Sequence, residues 1–456
     1  MDSPQKAYDF LEYTTSLCPA CLQTVPGKIV ARDGRIYIRK NCPTHGPQEE
    51  LLEDNAGYFI RRNEFSRPAT ACEVQTGIVH GCPYDCGLCP NHEQHTCIGL
   101  IEVNTACDMG CPTCYAESGK PGELALPMIQ RMIDFYIASE YGNAEILQLS
   151  GGEPTLHPQI LDILDYVRGT SLAYVMLNTN GLRLARDERF VAELARMVGN
   201  FEVYLQFDGL TRRVSENLRG RDYMADKLAA VGMLEKHNIP TTLVMTVQNG
   251  VNDDQIGAVV AFAMRHRNIR GVSFQPMAFF GRRPEAAPSQ NRATLTGVLQ
   301  NIETQTAGLV KVADFAPLPC DVDRVAVTFL YRKQGAYVPV TRGVDLRQYL
   351  PFIRNTFAFR AEEFVAATNA VAPCCGLLAR FSPSFLLKPK ADRVQYINDN
   401  LFRLNVVSFI DAYNFDMKAM QKECAHIITP DLHKIPFSAY NLLHRSKYDS
   451  YYHATR

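Results

Sequence analysis

The chain has 456 residues, 46% of them hydrophobic and 21% charged, with a net charge of −1. This length supports a large core and two or three domains, and the balanced charge excludes a global field that would gather nucleic acid. The N-terminal MDSPQKAYDFLEY is not a secretory leader, and no apolar run reaches the ~18 residues that span a bilayer. A cytoplasmic protein is therefore expected, and its fifteen cysteines read as metal ligands rather than disulfides.

In residues 1–66, Cys18 and Cys21 form one C-x2-C knuckle, and Cys42 with His45 forms a C-x2-H knuckle. Between them KIVARDGRIYIRK (28–40) reads as a β-hairpin turning at Asp-Gly. Paired knuckles of this kind predict a tetrahedral mononuclear site for zinc or a rubredoxin-like iron. Residues 67–97 carry CPYDCGLC, with Cys82, Cys86 and Cys89. Cys97 can supply a fourth thiolate and close an auxiliary [4Fe–4S] cluster, with Cys72 as the competing ligand.

From 98 to 310 the pattern changes. Strand-like runs at 98–104, 145–150, 173–178, 201–207, 240–247 and 271–276 alternate with helical patterns of roughly 10–15 residues. Six such units predict an α/β fold, a partial (β/α)6 TIM-like barrel. A doubly wound open sheet is the rival.

The unusual residues fall where strands end. CDMGCPTCY, with Cys107, Cys111, Cys114 and Tyr115, follows the first strand. Gly151, Gly152, Glu153 and Pro154 follow the second. Asn178 and Asn180 close the third, Gln206 and Asp208 the fourth, and Gln275 the sixth. In a parallel barrel these positions share one pole. Three thiolates leave one iron of a [4Fe–4S] cluster open. That iron can take the amino and carboxylate groups of S-adenosylmethionine (SAM). Gly151 and Gly152 are expected to let backbone approach this ligand, and Glu153 to accept from its ammonium. Asn178, Gln206 and Asp208 suit ribose hydroxyls or the amino group, and Arg219 suits the carboxylate. The alternative for the three cysteines is zinc with a distant fourth ligand. The upstream copy, Cys82 to Cys89, has no barrel strand before it, so position favours Cys107, Cys111 and Cys114 as the SAM-cluster ligands.

CDMGCPTCY, SGGEP and the six βα units resemble the radical SAM superfamily over roughly residues 98–280. The resemblance implies a reduced cluster that splits SAM into a 5′-deoxyadenosyl radical. Over nearly the whole chain, LCPACLQTVPGKIVARDGRIYIRKNCPTHG, GCPYDCGLCPNHEQHTC and CAHIITPDLHKIPFSAYN resemble the tetraether lipid synthase-like, multi-cluster enzymes. That resemblance implies auxiliary clusters, a mononuclear iron and C–C bond formation on lipid chains. Related sequences have been considered methyltransferases of pterin-like substrates.

Residues 311–456 are expected as a C-terminal domain in which Cys320, Cys374, Cys375 and Cys424 hold a second auxiliary cluster. Ser438 stands where relatives often have cysteine. The expected function is C–C bond formation at an unactivated sp3 carbon of a lipid. A radical SAM methyltransferase on a pterin-like heterocycle and a non-catalytic Fe–S electron carrier are the alternatives. Expected partners are a small-molecule or lipid substrate and a reductant such as ferredoxin or flavodoxin. Peripheral membrane contact accompanies the lipid reading, and no nucleic acid is expected.

Overall fold

The structure, a computed structural model, describes residues 7–68, 72–116, 118–282, 291–333, 335–342 and 400–453. Cys374 and Cys375, and with them part of the expected C-terminal cluster, lie outside the described residues.

Four antiparallel strands open the chain in the order β1 (Asp9–Leu17), β2 (Thr24–Arg32), β3 (Arg35–Cys42) and β4 (Gly46–Glu53). Asp33 and Gly34, both at positive φ, make the two-residue turn between β2 and β3, as the Asp-Gly signal predicts. Alternating Ile29, Ile36, Ile38 and Leu52 pack on Phe59 as a small separate core. The two knuckles sit at strand ends and meet at one end of this ribbon.

The six barrel strands are β5 (Ile98–Asn104), β6 (Ile146–Gly151), β7 (Tyr174–Thr179), β8 (Phe201–Gln206), β9 (Thr241–Val247) and β10 (Ile269–Pro276). They pair in parallel, each with its neighbour in sequence. A doubly wound sheet would reverse strand order partway, and no reversal occurs here. Side chains alternate across the sheet. Leu147, Leu149, Val203 and Leu205 pack outward into the main core. Gln148, Ser150, Tyr204 and Gln206 face inward on a cavity.

The C-terminal region extends the same sheet at both edges. β11 (Ala316–Leu318), β12 (Asp321–Lys333) and β13 (Ala336–Pro339) precede β14 (Leu401–Val407), which pairs in parallel with β10. β15 (Ala425–Ile428) pairs in parallel with β5, and β16 (Lys434–Pro436) pairs with β15. The boundary expected at 310 thus falls between neighbours in one twelve-stranded sheet. Among the described residues, no helix is long and apolar enough to cross a membrane.

The ribbon is fixed to the barrel by polar contacts. Thr296 donates through its backbone N–H (2.8 Å) and its hydroxyl (2.7 Å) to Glu53, at the start of helix Leu295–Gln305. The Lys40 ammonium donates to the carbonyls of Leu17, Ala412 and Tyr413 at 2.7, 2.8 and 2.9 Å.

Burial pushes the Glu53 carboxyl up to about 7 from an ordinary 4.5, against the opposing Thr296 donors. The folded state therefore binds this proton more tightly than the unfolded state. Below 4.5 the difference vanishes; between about 4.5 and 7 the unfolded chain ionises first and stability falls, by roughly 3 kcal/mol in all. Urea unfolding midpoints measured across this window should fall with pH in the wild type and show a flatter dependence in Glu53→Gln.

Candidate functional site

The loops after β5 and β6 are locked together by backbone. Gly152 N donates to Asn104 O (2.8 Å) and Glu153 N to Ala106 O (2.7 Å). A Cβ at Gly152 would lie 2.1 Å from Ala106 O, and one at Gly151 2.3 Å from Asn104 O. The two glycines are therefore required by contact between the two loops. Both glycines also line the cavity at this pole.

Glu153 is held from within the fold. Its Oε1 accepts from Thr155 N (3.1 Å), Thr155 Oγ1 (2.6 Å) and Thr179 Oγ1 (2.7 Å), and its Oε2 from Asn180 N (2.6 Å). Three of these bonds fall on Oε1 and one on Oε2, so Oε2 keeps acceptor capacity on the cavity side. Buried at 2% exposure, Glu153 staples the loops after β6 and β7. Pro154 opens a short 3-10 turn behind it. The Asn180 side chain is also occupied, between Leu182 N (2.8 Å) and Asp108 Oδ1 (2.7 Å).

Asp208 and Arg219 hold each other. Arg219 Nε and Nη2 each donate at 2.7 Å to the two Asp208 oxygens, and Gln206 Nε2 (2.7 Å) and Thr246 N (3.1 Å) complete the set. Burial opposes ionisation of Asp208, but Arg219 outweighs it and holds the carboxyl below its usual range. The Asp208 oxygens are thus occupied from within the protein and stand off the cavity. The Arg219 fork expected for the SAM carboxylate is directed at Asp208, while Arg219 also lies beside Cys111 on the cavity.

The cavity at this pole measures about 230 Å³. It is lined by Cys107, Cys111, Cys114, Tyr115, Gly151, Gly152, Glu153, Asn178, Asn180, Gln206, Arg219 and Gln275, so of the expected SAM-site residues only Pro154 and Asp208 stand off it. Cys114 exchanges backbone hydrogen bonds with Arg282 (3.0 and 2.9 Å), which draws the loop after β10 onto the cluster loop. Gly281, at φ +64°, permits that approach; a Cβ there would lie 2.3 Å from Cys114 O. Burial pushes the Cys107 thiol up to about 11, a cost that a bound cationic iron would reverse. Asn178 Oδ1 is buried without a hydrogen-bond partner among the described residues. An open three-thiol loop facing an unsatisfied acceptor fits an iron–sulfur cluster with a polar nucleoside beside it. Phe280, Phe409 and Phe437 add an apolar wall. No local motif marks these three, because they arrive from distant segments.

Three further cysteine groups form. The ligand atoms of Cys18, Cys21, Cys42 and His45 all lie within 4.8 Å of one another. Cys18 Sγ and Cys42 Sγ are each 3.5 Å from His45 Nδ1, and Cys21 Sγ is 3.9 Å from Cys42 Sγ. Bonds of about 2.3 Å in a tetrahedron space sulfurs about 3.8 Å apart, so the set fits a single ion. Burial works against ionisation of Cys18, but Gln48 and neighbouring backbone N–H groups bring it down to about 6.

Cys82, Cys86 and Cys89 line one small cavity. Cys97 does not join them, contrary to expectation. It lies instead with Cys320 and Cys424, all three buried, with Cys424 Sγ 3.7 Å from Cys320 Sγ. The cause is register: β15 pairs beside β5, and Cys97 N donates to Cys424 O at 2.9 Å. Cys72, the competing ligand, is within electrostatic reach of Cys89. Ser438 is buried, donating to Glu423 Oε1 (2.7 Å) and accepting from Ile410 N (2.9 Å).

A chain-order parallel sheet with a three-cysteine loop at its carboxyl pole defines a radical SAM enzyme. Residues 101–263 match the radical SAM superfamily, and residues 10–54 match the HMPTM N-terminal zinc ribbon domain. The chain is 29% identical to the 7,8-dihydro-6-hydroxymethylpterin dimethyltransferase of Methanocaldococcus jannaschii, over 95% of this chain and 94% of that protein. It is 29% identical to the probable GTP 3′,8-cyclase of Pyrococcus abyssi over 36% of this chain and 51% of that one. Among solved structures, Streptococcus suis SuiB bound to S-adenosylmethionine is similar at 16% identity and a TM-score of 0.35, over 45% of this chain and 44% of that chain. The chain is thus a radical SAM enzyme with [4Fe–4S] clusters, SAM and a ribbon metal as its cofactors. Enzymes of this class act with an external reductant. The expected lipid chemistry finds no support in these relatives, of which the full-length one is a pterin enzyme.

Two substitutions test this geometry. Gly152→Ala should displace the cluster loop, so that anaerobically reconstituted protein loses about four irons per chain while the ribbon metal stays. Asp208→Asn should strand Arg219 and cost roughly 3 kcal/mol in urea unfolding.

Proposed function

We propose that the protein is a radical SAM methyltransferase acting on a pterin-like heterocycle. The observation that carries this reading is the extent of one similarity. The likeness to the pterin dimethyltransferase runs through ribbon, barrel and C-terminal strands, whereas the cyclase likeness covers 36% of the chain. The polar lining of Gln148, Gln275, Asn405, Asp321 and Glu423 adds support, because an alkyl chain would offer no partner to the buried, unpaired Asn405 Oδ1.

In this reading Cys107, Cys111 and Cys114 hold the SAM cluster. Bound cluster and SAM supply a 5′-deoxyadenosyl radical. Asn178 Oδ1 accepts a hydrogen bond from the nucleoside or amino group. Glu153 and the Asp208–Arg219 pair position the loops without touching ligand. Cys82, Cys86 and Cys89, with Cys72 near, hold one auxiliary cluster. Cys97, Cys320 and Cys424 hold a second metal centre. A low-potential carrier such as ferredoxin or flavodoxin delivers the electrons.

Anaerobic enzyme given excess SAM, dithionite and 7,8-dihydro-6-hydroxymethylpterin should release 5′-deoxyadenosine and methionine from one SAM, S-adenosylhomocysteine from each further SAM that donates a methyl group, and a pterin heavier by one or two methyl groups; Cys107→Ala should give neither 5′-deoxyadenosine nor methylated pterin. Unmodified pterin, together with altered membrane lipids in cells carrying the gene, would restore the lipid reading.

A further inference from the structure

Beneath the SAM cavity lies a second chamber of about 60 Å³ inside the barrel. The two share Leu100, Gln148, Tyr204, Gln275, Phe409 and Phe437 on their walls, so a molecule in the inner chamber adjoins one in the outer.

The inner chamber carries a specific pattern of unmet hydrogen bonds. Arg403 and Asn405 stand two apart on β14 and so face the same side of the sheet. Arg403 Nε, a donor, and Asn405 Oδ1, an acceptor, are buried and have no partner among the described residues. Asn405 is 2% exposed. Leaving such atoms unpaired is costly, and their position beside one another on a cavity wall indicates a ligand that pairs with both. Two carboxyl groups line the same chamber. Asp321 accepts from Arg324 N at 3.1 Å, and Glu423 accepts twice from Ser438, at 2.7 and 3.0 Å. Each retains acceptor capacity toward the chamber. Phe409 and Phe437, with ring centroids 4.7 Å apart, and Tyr204 provide flat apolar walls.

An unpaired donor beside an unpaired acceptor, with further acceptors on the same chamber and aromatic walls around it, complements one edge of one kind of heterocycle. A 2-amino-4-oxopyrimidine presents a carbonyl oxygen, a ring N–H and an amino group in that order. We propose that this chamber seats the 2-amino-4-oxopyrimidine edge of the substrate, with Arg403 Nε donating to its carbonyl and Asn405 Oδ1 and the Asp321 and Glu423 carboxyls accepting from its N–H groups. The proposal rests on the methyltransferase reading and names the residues that select its substrate. Pterins and guanine nucleosides both carry this edge, and the chamber distinguishes them only through the rest of the molecule.

The test uses anaerobic holoenzyme with SAM bound, and equilibrium dialysis against 6-hydroxymethylpterin, guanosine and 6-hydroxymethyllumazine, in which an oxo group replaces the amino group. Wild type should bind the pterin at least about tenfold more tightly than the lumazine, since the lost donor leaves buried acceptors unpaired. Asn405→Leu should weaken pterin binding about tenfold or more. Asn405→Asp, which keeps the acceptor, should retain it, and SAM affinity should be unchanged in both. Should Asn405→Leu fail to fold, the pterin–lumazine comparison on wild type decides alone. Equal binding of pterin and lumazine, or unchanged pterin binding by a folded Asn405→Leu, overturns the chamber assignment and leaves the methyltransferase reading standing. Guanosine bound in place of pterin, with the same Asn405 dependence, supports the edge assignment and overturns the pterin reading. Binding of neither pterin nor guanosine by wild type overturns both.

Discussion

The carboxylate of Glu153 holds the working pole together. Its four hydrogen bonds reach Thr155, Thr179 and Asn180, and its own backbone N–H reaches Ala106 at the mouth of the cysteine loop. Three consecutive strand ends are thereby fixed to one buried residue. A carboxylate in so dry a place is tolerable only when its acceptor sites are filled. Filling them sets where Cys107, Asn178 and Asn180 can be. The glycines before it act in the same way, since side chains at Gly151 or Gly152 would drive the two loops apart.

A six-stranded partial barrel has an opening, and the C-terminal region meets its two edges. β14 extends the β10 edge and β15 the β5 edge. This brings Asn405, Asp321 and Glu423 to the inside of the sheet and Cys320 and Cys424 to Cys97. The same edge pairing thus builds the polar inner chamber and a buried thiol group on its wall, where Cys424 belongs to both.

Much of the fold was legible because barrel strands write a local code. Each of the six apolar runs became a strand within a few residues of its expected limits, and the odd polar residues fell at strand ends as parallel topology requires. Metal groups formed by short spacing, such as Cys18, Cys21, Cys42 and His45, were equally legible. Residue roles were less so. Glu153, Asp208 and Arg219 have the chemistry of ligand-binding groups, but the same chemistry suits a buried staple or ion pair, and sequence cannot say which partner each meets. Short spacing points Cys97 to its neighbours in the chain, whereas Cys320 and Cys424 reach it from over two hundred residues away, across a strand pairing that leaves no local mark. The inner chamber was hidden for the same reason, although Gln148, a polar residue in the apolar run EILQLS, was a visible sign that the barrel interior is not oily.

The proposed function requires one iron on the Cys107–Cys111–Cys114 loop to be left for SAM. Electron paramagnetic resonance of the dithionite-reduced protein, recorded with and without SAM, tests it most directly. The expected result is that SAM shifts the signal of one reduced [4Fe–4S] cluster, and that Cys111→Ala abolishes the shift while the ribbon metal is retained. A spectrum indifferent to SAM in the wild type, with that cluster present and reduced, would contradict the claim.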